Sequence, residues 1–513
     1  MRRNVFICLL AVGLALMAAG GSLAAEGKNL IYALGAEPVS LDPANQTDNP
    51  SEIVVRHIHD NLVEFTEKGD IVPQLAASWE TSADGLTWTF KLRQGVSFHD
   101  GTPFNAQAVV VNIKRNTDLT KRTLRTSLYE PFIADVKALD DNTLEIKMKK
   151  PFGALLAHFA HGAGGMISPA ALLKYGDKYG LNPVGTGPYI FEQWKAGDRV
   201  VVKRNDKYWK GQPKIEGIIF KPVPEAATRV IMLETGEADV VFPVPLMEVA
   251  RLNKSKTSQV ILGDTARVIY IGMHQQKKPF NDKRVRQAVN YAVDKESIIK
   301  NVLMGMAKPS KSVMGALVWG AYPVGEYKYD LEKAKKLLAD AGYPNGFEVN
   351  LWTPDGRYPM DAQIAEAVAT QLAKVGVKVK IQRWEWAAYQ TNTRKPPEEA
   401  KYDMFLLGWA PSTGDADWAI RPLLYSTEWM PVGDNRSYYK NAEADALIKQ
   451  GMETSDQSKR KEIYKKAQEV LVEDGAWLML HDMVQSVGVS NKLKNVTVWP
   501  IEIVMVKDAY FDK

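Results

Sequence analysis

A chain of 513 residues is too long for one hydrophobic core, and about three domains is the expectation for that length. The formal charge of +5 includes Arg2 and Arg3 and falls to +3 without the first 25 residues, which excludes the basic footprint of a nucleic-acid binder. The single cysteine, Cys8, excludes disulfides within the chain.

Arg2 and Arg3 precede an apolar run over residues 5–19 and the small residues Gly20, Gly21, Ser22, Ala24 and Ala25, which predicts a secretory signal peptide over residues 1–25. The run is too short for a permanent anchor, and no other window approaches that apolar length. Cys8 lies inside the run rather than at its end, so the expectation is a free periplasmic protein and not a lipoprotein.

Residues 29–34 alternate as a strand, residues 35–50 form a Pro-, Asp- and Asn-rich loop, and Ser51 is placed to cap a helix through about residue 61. His57 and His59 on that helix point in different directions, with no cysteine or acidic cluster nearby, so no metal site is predicted. Asp84-Gly85 is a turn after which Trp88, Phe90 and Leu92 alternate with Thr87, Thr89 and Lys91, giving a hairpin. Asn105 then caps a helix carrying Val109, Val110 and Ile113 on one face. Residues 133–139 and 143–148 form a second hairpin around Asp140-Asp141-Asn142, and Ser168-Pro169 opens a helix.

Gly185 and Gly187 permit a tight return of the chain, after which strands and helices alternate, as in an α/β architecture. Strands are predicted at 215–223, 240–242, 268–273, 347–352, 377–381, 402–407, 477–481 and 486–489, with outer helices at 442–453 and 457–473. Residues 305–329 read as a long loop, either a cleft lip or a surface excursion.

Four stretches share one family likeness. They are residues 71–113, Asn-Pro-Val-Gly-Thr-Gly-Pro-Tyr at 182–189, Ala-Ala-Thr-Arg-Val-Ile-Met-Leu-Glu-Thr-Gly-Glu-Ala-Asp at 226–239, and Val-Arg-Gln-Ala-Val-Asn-Tyr-Ala at 285–292. Together they resemble the bacterial extracellular solute-binding proteins that serve peptide, nickel and glutathione ABC importers. The resemblance implies an α/β, bilobal clamshell of the type II periplasmic-binding-protein kind, with three domains and mixed sheets flanked by helices. Residues 26–57, 182–267 and 486–513 would form the first domain, 58–181 the second, and 268–485 the third, the second lobe. The expectation is a monomer without cofactor or metal, and the resemblance implies a small ligand and the permease subunits of the inner membrane as partners.

Two loops carry ligand-type chemistry on physical grounds, because each leaves a strand end and joins glycine to an aromatic and a charge. One holds Arg357, whose guanidinium can grip a carboxylate in two places; the other runs from Gly408 to Trp418 and holds Trp409, Ser412, Thr413, Asp415 and Asp417. The alternatives stay open: Arg357 as a solvated loop charge, Asp417 as the N-cap of a helix starting at Trp418, and Trp409 as core filler. In peptide-binding members of the family an aspartate holds the ligand amino group where this chain has Ser412, a departure that puts ordinary α-peptide recognition in doubt. Gly-Trp-Ala-Pro-Ser-Thr-Gly-Asp-Ala-Asp-Trp instead resembles the glutathione-binding branch, for which a second cation such as Arg115 would be expected, and the family places the loop at Asn49 beside the cleft.

The expectation is therefore a binding protein for glutathione or a short peptide, with an oligosaccharide or a metal chelate as alternatives within the family. A secreted glycoside hydrolase built on Asp415 and Asp417 is the rival of another class. The chain has neither a Gly-x-Ser-x-Gly elbow nor a His-Glu-x-x-His motif, so no enzyme is expected.

Overall fold

The structure, a computed structural model, describes residues 29–325 and 327–512; the predicted signal peptide lies outside the described residues. One large mixed sheet runs through the molecule in the order Val377–Trp384, Phe347–Pro354, Met404–Trp409, Ser258–Met273, Trp477–Ser490, Val240–Phe242, Leu30–Leu34, Gly217–Pro222, Arg199–Arg204 and Tyr189–Lys195. Ala307–Pro309 adds to Trp477–Ser490. Parallel pairing occurs in both wings, between Leu30–Leu34 and its two neighbours and between Phe347–Pro354 and its two neighbours. The helix Asp361–Ala373 makes the crossover between two such parallel strands.

The wings are joined by the antiparallel pair Ser258–Met273 and Trp477–Ser490, 16 and 14 residues long. Its register breaks between Asp264 and Val268 and again between Ile269 and Tyr270, so the ladder bends at its middle. The expected strands cover only 268–273 of the one and 477–481 and 486–489 of the other, leaving out Gly263, Asp264 and Thr265 and also Asp482 and Gln485. Two of these polar residues find backbone carbonyls, one on the partner strand and one on the strand Thr497–Trp499. Thr265 Oγ1 donates to the Met483 carbonyl (2.7 Å) and Gln485 Nε2 to the Trp499 carbonyl (2.8 Å).

Asp482, at the bend, is buried, and its Oδ2 accepts from the Ala316 N–H at 3.1 Å. Burial pushes its carboxyl up to about 7. Between the ordinary aspartate range and that value the folded chain keeps a proton that the unfolded chain releases, so this group lowers stability as pH rises through the window. Asp482→Asn is expected to raise stability by about 1–3 kcal/mol at pH 8 and to change little at pH 4. Urea midpoints at the two pH values check it.

A second, four-stranded antiparallel sheet, Ala76–Thr81, Thr87–Leu92, Thr143–Met148 and Ile133–Asp140, stands apart with its own core of Trp88, Phe90, Val109, Ile113 and Phe159. Both predicted hairpins are in it, and Asn105 caps the helix Ala106–Thr117 by accepting from Ala108 N–H at 3.0 Å. The chain returns from it through Gly185 and Gly187, where a β-carbon would stand 2.2 Å from the Ile58 carbonyl oxygen and 2.6 Å from the Ile58 carbonyl carbon respectively. This region also touches the far wing. The Gly153 N–H donates to the Met452 carbonyl (3.0 Å), and His158 lies edge-on to Trp418. Among the described residues no helix is long and apolar enough to cross a membrane.

Candidate functional site

A cavity of about 880 Å³ lies between the wings, beside the bent strand pair. Leu34 and Phe242 end parallel strands of the first wing, and the loop 355–360 follows the strand Phe347–Pro354 of the second, so it sits where open α/β sheets place ligands.

On the first-wing side, Asp48 and Asn49 line the cavity at the start of the helix Asn49–Ile58. Asp48 is the N-cap, accepting from Ser51 N–H (2.9 Å) and the Ser51 hydroxyl (2.8 Å). This corrects the expectation that Ser51 caps. Pro50 fits the first turn, where it has no N–H to lose, and Ser51 Oγ accepts from Val39 N–H (2.8 Å). Asn49 donates to the Glu502 carbonyl at 3.2 Å. Arg229 also lines the cavity, but its guanidinium is occupied by the carbonyls of Val223, Pro224 and Pro243 at 2.7–3.0 Å.

Arg267 projects from the bend and grips Glu502 with two nitrogens, at 2.5 and 2.9 Å. Burial works to raise the Glu502 carboxyl, yet the charge and hydrogen bonds of Arg267, with Arg357 farther off, hold it below the usual range. Glu502 has φ 64, a left-handed backbone rare for a residue with a β-carbon.

Arg357 enters from the second wing. The Asp361 carboxylate gathers the N–H groups of Gly356, Arg357 and Tyr358 at 2.9–3.1 Å and so fixes the loop. Asp361 begins the helix Asp361–Ala373, with Met360 at the cap position. The Arg357 guanidinium lies over Trp386 (5.0 Å) and Tyr358 (5.2 Å) and is exposed, with no carboxylate in ion-pair range among the described residues. Held beside two aromatic rings and without an ion-pair partner among the described residues, it can receive a carboxylate.

The other sequence candidates lie elsewhere. Asp415 is the N-cap of the helix Ala416–Leu424, accepting from Asp417 N–H at 2.8 Å, and both its oxygens take Arg460 (2.7 and 2.5 Å). The cap reading for Asp417 is thereby corrected, because the helix starts earlier than Trp418. Asp417 is buried and bonded to Arg421, 3.0 Å away. Trp409 is half-buried, donates from Nε1 to the Trp418 carbonyl (2.9 Å) and packs on a core with Tyr270 and Trp477. Ser412 is half-buried and Thr413 fully buried. Arg115 pairs with Asp42. None of these six lies among the cavity-lining residues, whereas Arg357 and Asn49 do.

Sequence analysis misses Arg267 and Glu502, which meet across 235 positions and carry no local signal. It also misses Trp386, at the start of a helix. His57 and His59 are buried, with Nδ1 on the carbonyls of Ile53 (2.7 Å) and Val55 (3.1 Å), and no group of three or more potential metal ligands is gathered among the described residues.

Known proteins share this fold. The family profile described as bacterial extracellular solute-binding proteins, family 5, middle, matches residues 70–431. The glutathione-binding protein GsiB of Escherichia coli is 37% identical over 490 residues, 95% of this chain and 94% of its own. HbpA2 of Haemophilus parasuis superposes with a TM-score of 0.85 at 28% identity, covering 95% of this chain and 100% of that one. The periplasmic binding protein DppA of Helicobacter pylori, solved with a bound peptide, gives 0.77 at 30%, covering 95% and 98%. The fold is that of type II periplasmic binding proteins, and DppA is named as an ABC transporter-associated periplasmic binding protein. The chain belongs to the bacterial extracellular solute-binding proteins, family 5.

Proposed function

We propose that this chain is the periplasmic binding component of an ABC importer, exported by residues 1–25, that captures glutathione or a related γ-glutamyl or short peptide and delivers it unchanged to the membrane permease. The observation that carries the reading is the Arg357 guanidinium, which makes no ion pair among the described residues and sits over Trp386 at the cavity wall, across from a first wing that offers the Asp48 carboxylate. A ligand with carboxylates and one ammonium supplies a partner to each when water leaves. Both remaining lone-pair positions of Asp48 can accept an ammonium while its capping bonds stay in place. Because the wings contribute opposite ends of the site, such a ligand binds the closed form better than the open one, and that difference is what a permease can read. Relatives named for glutathione and for peptides support the choice.

Calorimetry of the free protein against glutathione, dipeptides and cello-oligosaccharides tests it. Saturable binding of glutathione is expected, with no turnover of chromogenic glycosides. Tight binding of sugars with none of glutathione would contradict it.

A further inference from the structure

Four methionines, Met247, Met304, Met360 and Met483, line the same cavity. They come from separate places: the helix Leu246–Leu252 of the first wing, the turn after the helix Lys295–Asn301, the loop carrying Arg357, and the bent strand Trp477–Ser490. Met247 is 66% exposed and Met304 43% exposed, so neither serves the core. Met304 and Met360 have φ 55 and 59, and with Glu502 they make three of the five non-glycine left-handed residues among the described ones. Backbone strain of this kind persists where the site uses it. Glycine or asparagine would adopt that backbone more readily; Met360 packs partly on the core, as Met483 does, whereas the exposed Met304 side chain serves no core contact.

The polar groups that would hold a glutathione-like ligand, Asp48, Asn49 and Arg357, account for only part of the wall. A cavity of about 880 Å³ is near the upper end for a small-molecule site, roughly 300–1,000 Å³. A tripeptide whose central side chain is a short methylene and thiol covers little of the exposed Met247 and Met304 side chains. Methionine is unbranched and polarisable and fits apolar groups of varied shape.

We infer that the methionine wall receives a bulky apolar substituent on the anionic peptide, so that the ligand class is γ-glutamyl peptides carrying such a group at the central residue: thioether conjugates of glutathione, or peptides with a large aliphatic side chain. This inference rests on the proposed function and narrows it. The substituent removes exposed apolar surface on both sides as the wings close, and the mixed origin of the four side chains lets one wall accept alkyl and aryl groups.

Calorimetry of the full mature chain with glutathione, S-methylglutathione, S-hexylglutathione and γ-glutamyl-leucyl-glycine tests it. S-hexylglutathione is expected to bind about tenfold or more tighter than glutathione, with S-methylglutathione between them. A gain for the hexyl thioether without one for the leucyl peptide assigns thioether conjugates, and equal gains assign apolar peptides; either supports the inference. In Met247→Ser/Met304→Ser the ratio of the two affinities should collapse to within about twofold. Glutathione binding with no gain, or a loss, on adding the hexyl group overturns the inference and leaves the proposed function standing, as does a ratio undiminished in the double variant. Failure of all four ligands to bind removes the proposed function itself.

Discussion

Alanine in place of Asp415 is expected to destabilise the folded chain by about 3–5 kcal/mol, the cost of leaving a buried charge without its partner. The Arg460 guanidinium is fully buried, donates to the Gly451 carbonyl (2.9 Å) and lies between the rings of Trp319 and Tyr464, so its charge cannot reach water when the carboxylate goes. The same change removes the cap of the helix Ala416–Leu424, which adds about 1 kcal/mol. Urea unfolding measures the sum. A ligand contact at Asp415 would leave the midpoint in place and lower affinity instead, so the two roles separate in one pair of titrations.

Alanine at Arg357 has the opposite signature. An anionic ligand should lose about 10–100-fold in affinity, the worth of a charge-assisted pair that is desolvated on closure. Stability should move by less than about 0.5 kcal/mol, because the side chain is exposed and makes no ion pair among the described residues. Lysine at this position should recover only part of the affinity, since it lacks the planar fork that both stacks on Trp386 and grips two oxygens. Unchanged affinity in Arg357→Ala removes the loop from the site.

The contrast between these residues shows what a sequence discloses. Arg357 was legible because its setting is local: a strand end, a glycine that takes φ 80 and an adjacent aromatic all fall within a few positions. The turn at Gly85, with φ 71, and the caps at Asn105 and Ser168 are local in the same way. Asp415 looked equally functional, but its partner Arg460 lies 45 positions on and nothing near either residue announces the pair. The Asp417–Arg421 bond did leave a trace, since residues four apart share a helix face. The bent strand pair was hidden for a different reason. Its polar residues mimic strand ends, and they are tolerated there only because Thr265 and Gln485 find carbonyls in neighbouring chain segments.

In the form described, Gly153 contacts Met452 and His158 contacts Trp418, so the four-stranded region lies against the second wing. A ligand that touches both wings should be what holds them together. Small-angle scattering during a titration with glutathione tests this most directly. The account predicts a free protein with a larger radius of gyration than the bound form and a saturable decrease as glutathione is added; a radius that stays constant through saturating glutathione would contradict it.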